Sequence, residues 1–241
     1  TQVLESFARF AARDFRSIGH KAIYVANAWR TLQTIGWHHA EPVVRSLAYA
    51  LLNHNGEPNP GENDLSPDRP WKHNQELAKS IRSGWQTGKL DAKATEQLLS
   101  VLRNGSSDDA AKTVAEILNA GVSPQSVFDA LHVGAGELLM RQAGIVALHA
   151  VTTTNAIRFL YDTTGNEETR KLLLLQNASF LPLFREGMQS RGKVADTSVL
   201  ELQANSAAAS PELLPTIFAD VSGDRRQAAN GVYSYLNAGH D

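Results

Sequence analysis

The sequence predicts an all-α protein, a multi-helix bundle of antiparallel helix pairs forming one domain over residues 1–241. Three observations predict it. Apolar residues recur at three- and four-residue spacing along nearly the whole chain, as one face of a helix requires. No stretch sustains the period-two alternation of β-branched residues that marks a strand. Polar caps and glycines separate the periodic segments into helix-sized pieces.

The opening segment QVLESFARFAARDF places Val3, Phe7, Phe10 and Ala11 on one stripe, with Glu5, Arg9 and Arg13 elsewhere, the pattern of an amphipathic surface helix. Helices follow at 20–35 and 41–54. The stretch NGEPNPGENDLSPDRP, 55–70, is rich in proline and asparagine and reads as a long loop. Beyond it, NQELAKSIRSGW, DAKATEQLLSVL, SDDAAKTVAEIL and SPQSVFDALHVGAGELL each open near a polar cap, with Ser123 and Pro124 a clear N-cap and first-turn proline. Helices at 145–162 and 167–187 complete the middle. The leucine run of the second is apolar on every side, which places that helix at the centre of the bundle. The tail from SPELLPTIF onward reads as two shorter helices. An internal echo, NAWRTL at 27–32 and NAIRFL at 155–160, each with a histidine upstream and a second helix carrying an arginine downstream, suggests a helix-turn-helix repeat.

Charge narrows the partners. Lys and Arg total 23 against 25 Asp and Glu, with no block of one sign, so nucleic acid and anionic membrane are not expected. The run LLLLQNASFLPLF is too short to span a bilayer and carries Gln176 and Asn177, so a soluble protein is expected. There are no cysteines, which removes disulfides, zinc-thiolate sites and cysteine nucleophiles. The chain starts at Thr1 without a charged-then-apolar leader, so the expectation is a processed or trimmed product of a longer chain. The compartment stays open between the cytoplasm and export with the leader removed. Oligomeric state is equally open.

A nucleophile elbow, a phosphate-binding loop and the HExxH zinc motif are all missing. What remains is histidine, the commonest neutral metal ligand. His132 and His149 would stand ~25 Å apart on one continuous helix, so they can share an ion only if the chain reverses near Gly144. If 20–35 and 41–54 form an antiparallel hairpin, His20 and His54 lie at one end and His38 and His39 at the other. His20 and His39 are therefore not joint ligands.

GHKAIY at 19–24, with WHHAEPVVRSLAYAL behind it, resembles the GHP-hydrophobic-IH segment of questin-oxidase-like proteins. LHAVTTTNA at 148–156 is similar to their HLVTS helix, and LHVGAGE at 131–137 to their IHLG segment. The resemblance implies a helical, oxygen-using oxidoreductase, dependent on non-haem iron and acting on a small organic substrate, aromatic in the family it resembles. It makes His20, His132 and His149 candidate metal ligands, to which the hairpin geometry adds His54. Tyr24 stands where the family has a second histidine, and no lysine here matches the modified lysine of its iron site. Asp129, one turn before His132, is a candidate to accept a ring N–H from it. Thr152 and Thr153 follow His149 on the next turn and can bond a ligand or the preceding carbonyls.

Other readings compete. A lone histidine on an apolar helix face is more often a core residue bonded to a carbonyl. His38 and His39 can cap the helix behind them, and His54 and His73 flank the loop and can be solvated. Arg30 and Arg158, with Asn27 and Asn155, read as struts between helices. The four tryptophans are too dispersed for an aromatic cage and read as packing anchors. At the level of the whole chain the alternatives are a non-catalytic helical repeat that binds a partner, and haem held by one axial histidine.

Overall fold

The computed structural model describes residues 2–13, 15–54, 56–204 and 213–240. Its architecture is the expected all-α bundle, eleven helices with no strand among the described residues. Among the described residues the extended pairing is a single isolated parallel bridge between Lys89 and Val122. The chain divides into two compact units, Thr1–Ala195 and Asp196–Asp241.

The first unit holds α1 (Gln2–Ala11), α2 (His20–Ile35), α3 (Ala40–Leu52), α4 (Arg69–Ser80), α5 (Ala92–Asn104), α6 (Ser107–Asn119), α7 (Pro124–Arg141), α8 (Ile145–Thr163) and α9 (Glu167–Gln189). Their ends have local causes. Asp91, Ser106, Ser123 and Asn166 each accept a backbone N–H of the first turn behind them, satisfying donors that an open helix start leaves bare. Ser106 and Asp109 form a reciprocal capping box. Gly36, at φ 104°, ends α2 in a conformation that side-chain-bearing residues avoid. α4 begins inside the stretch expected to be loop. Pro70 occupies its first turn, where a missing N–H costs nothing.

α9 is the central helix, packed by α1, α4, α5, α6, α7 and α8. Leu172, Leu173, Leu174 and Leu175 are all buried, as an all-round apolar surface demands. Several of its buried polar atoms find partners within the bundle. Asn74 of α4 donates to Gln176 and Ser179, Gln176 donates to the Ala12 carbonyl, and Thr154 of α8 donates to Asn177. The loop before α4 is tied down by Arg16, which pairs with buried Asp68 and donates to the Pro58 carbonyl. Arg185 donates to the carbonyls of Leu102 and Gly105 at the end of α5. On α1 the buried stripe is Leu4, Ala8 and Ala11 rather than the expected Val3, Phe7, Phe10 and Ala11. Val3 and Phe10 are exposed, because the small Ala8 is the residue that fits the close contact.

α2 packs between α8 and α3, and α3 lies on the outside of the bundle. The two echo segments thus belong to neighbouring helices. Arg30 of α2 donates to Asn155 of α8 and stacks over Phe159, while Arg158 stacks over Phe128. Trp29 and Trp37 meet edge to face at 4.6 Å, and Trp71 and Trp85 are buried, so the tryptophans do anchor packing.

The second unit contains α10 (Leu213–Asp220) and α11 (Arg225–Asn237), packed on each other and capped by Asp224. Of its described residues only Ile217, Ala228 and Ser234 are buried.

Candidate functional site

The site starts with one glycine. Gly19 precedes α2 at φ 80°, and its Cα rests against Thr153 of α8 so closely that a Cβ there would lie 2.0 Å from the threonine Oγ1. Absence of a side chain lets the start of α2 touch α8. That contact puts His20, the first residue of α2, beside His149, one turn ahead of Thr153.

The two imidazoles meet through Nε2 at 2.7 Å, with ring centroids 4.4 Å apart and planes at 73°. His149 Nδ1 lies 2.6 Å from the Ile145 carbonyl oxygen. A carbonyl only accepts, so Nδ1 of His149 carries the proton and its Nε2 keeps a lone pair when the ring is neutral. His20 then donates its Nε2–H to His149. Tyr24, one turn along α2, stacks on His20 with planes at 20° and centroids at 5.7 Å. Both histidines are half-buried, while Tyr24 is exposed and lines a groove between α2 and α3. Beneath them Thr153 is fully buried with no hydrogen-bond partner for its hydroxyl. It packs against Gly19. Thr152 donates back to the Leu148 carbonyl.

The remaining candidates are distributed elsewhere. His132 is exposed, with Nδ1 2.8 Å from the Phe128 carbonyl of its own helix. Asp129 does not support His132, because it accepts from the Gln125 side chain at 2.7 Å. His54 lies 3.4 Å through Nδ1 from Nζ of buried Lys21, and both line a cavity of about 410 Å³ with Phe7, Phe10 and Leu51. The hairpin geometry therefore places His54 at the His20 end, as expected, but beside Lys21. The His38 and His39 rings touch at a tilt of 47°, and His39 makes no side-chain cap to α3.

Among the described residues no group of three or more His, Asp or Glu gathers around a common point. The four-histidine set of His20, His54, His132 and His149 is thus not assembled, and the residues do not fit an ion held by three protein imidazoles. Two of the four, His20 and His149, do face each other through Nε2. His149 already has the orientation of a ligand, one nitrogen fixed by a carbonyl and the other directed outward. Two nitrogens on one tetrahedral ion stand ~3.3 Å apart at usual bond lengths, so a small swing of the His20 ring would open the pair.

Comparison with family models, curated proteins and solved structures returns no match. Among the described residues no helix is long and apolar enough to cross a membrane. Sequence reasoning missed Gly19 and the Ile145 carbonyl. The glycine directly before His20 was the available signal.

Proposed function

We propose that the protein binds a first-row transition-metal ion through Nε2 of His20 and His149 and uses it in oxygen-dependent oxidation of a small organic substrate, the class to which the questin-oxidase resemblance points. One observation supports the reading. Two imidazoles distant in sequence converge nitrogen to nitrogen at a half-buried position, with His149 oriented by the Ile145 carbonyl. Such an ion, iron in the resemblance, would activate oxygen and polarise substrate. The chain's own part is to hold the pair in register: Gly19 and Thr153 fix the helix contact, the Ile145 carbonyl fixes the tautomer, and Tyr24 covers one face of His20. His20 and His149 would hold such an ion and leave it accessible to small molecules, unlike a structural site closed by four protein ligands.

The test is metal analysis of the purified chain followed by titration with Fe²⁺ and Zn²⁺ under reducing conditions. One ion per chain is expected for the wild type, with affinity lost in His20→Ala and His149→Ala and retained in His132→Ala. A wild-type chain that takes up no ion, or His149→Ala binding as well as wild type, would overturn the proposal.

A further inference from the structure

α3 is apolar on nearly every side: only Glu41, Arg45 and Ser46 are polar, yet Leu47 is its one buried residue. Tyr49 and Leu52 are 77% and 76% exposed. A helix of this composition normally lies inside a bundle, whereas the helices that pack most closely on α3 are α2 and, more lightly, α1, with the 3₁₀ turn before it. The outward residues of α2, Tyr24, Asn27, Thr31 and Thr34, add no charge. Depletion of charge with exposed aromatics is the composition of an interface core.

We infer that this α2/α3 face pairs with the same face of a second copy of the chain, completing an antiparallel four-helix arrangement. Two properties select a copy of itself over another partner. A two-fold contact needs protruding and receiving features on one surface. Tyr49 stands proud beside a groove of about 560 Å³ lined in part by the small residues Ala28, Ser46 and Ala50, while Leu52 projects on the α1 side of α3, where it borders a second cavity with Phe7 and Phe10. The contact must also be its own electrostatic complement. The only charges on the outer side of α3 are one acid and one base, Glu41 and Arg45, which pair with each other. A nucleic acid or a strongly charged peptide would find nothing to bind.

The size is adequate. Helices of this length are ~20–25 Å long and ~10 Å wide, so the face covers ~500 Å² per copy and ~1,000 Å² in the pair, the lower bound for a specific contact. Helical hairpins that join in this way form four-helix bundles, with ridges of one pair set in grooves of the other.

The test is the solution mass of the whole chain by light scattering and sedimentation. Twice the 26.2 kDa of one chain is expected at micromolar concentrations. Tyr49→Asp and Leu52→Glu, both at exposed positions that folding tolerates, are expected to give single chains with unchanged helicity. Leu90→Glu, at an exposed leucine between α4 and α5, is expected to stay paired. Because the chain has no cysteine, Tyr49→Cys supplies an independent readout: mild oxidation should link two copies, and Leu90→Cys should not link. A wild type that sediments as one chain throughout overturns the inference. So does pairing that Leu90→Glu disrupts as strongly as the α3 variants.

Discussion

Gly19 is the smallest residue in the candidate site and the one on which its geometry turns. Its φ of 80° is open to glycine at no steric cost, and the space a Cβ needs is filled by Thr153. Gly19→Ala combines left-handed strain with an overlap against a buried side chain. It should lower stability by about 2–4 kcal/mol, measured by denaturant unfolding, and should weaken metal uptake by separating His20 from His149. Unchanged stability would mean that α2 and α8 meet differently. His132 makes the opposite point. Its position was legible in the sequence, but its partner was not: the carbonyl four residues back, Phe128, lies within reach of any helical histidine with a suitable rotamer. A local bond of this kind competes with any distant ligand, and no spacing rule reveals which wins. For His149 the same local bond to Ile145 leaves the other nitrogen facing His20.

At the scale of helices the sequence was most readable where chain chemistry is local. Ser123 with Pro124 marks the start of α7, and the leucine run marks α9 as central. The start of α4 was hidden, since Pro70 reads as a breaker until it is placed in a first turn. The buried stripe of α1 was off by one residue, because which side of a short amphipathic helix is covered depends on the neighbour it meets. The capping box of α6 carries a pH prediction. The Ser106 backbone N–H and then its hydroxyl hold the Asp109 carboxyl below its ordinary value of 3.8. A depressed folded-state value means that the contribution is complete above 3.8 and is lost as pH falls through the lower folded value. Asp64, held down by Lys72 and then Arg69, behaves alike. Asp109→Asn should therefore be less stable than wild type near neutral pH, and the gap should close in strong acid. Denaturant midpoints taken between neutral and strongly acid pH check this, and a gap independent of pH would contradict it.

For the whole molecule, nearly all the buried apolar residues among those described belong to Thr1–Ala195, built around α9. A chain ending at Ala195 should melt cooperatively with its helicity intact. The described residues of 196–241 bury only Ile217, Ala228 and Ser234, and segments of about 40 residues seldom fold without cross-links or metal, so this piece alone is expected to be unfolded. Circular dichroism of the two pieces decides it, and a non-cooperative melt of 1–195 would show that the first unit is not self-sufficient. The convergence of His20 and His149 is also a property of the whole fold. It depends on α2 lying along α8, whereas the NAWRTL and NAIRFL echo suggested a repeated helix-turn-helix unit and said nothing of which helices pack together. The most direct test is a nitrogen-15 NMR spectrum of all imidazoles during titration with Zn²⁺. The account predicts His149 protonated on Nδ1, with the Nε2 signals of His20 and His149 moving together on saturation while His132 stays fixed. Signals that ignore the ion, or that move at His132 instead, would contradict it.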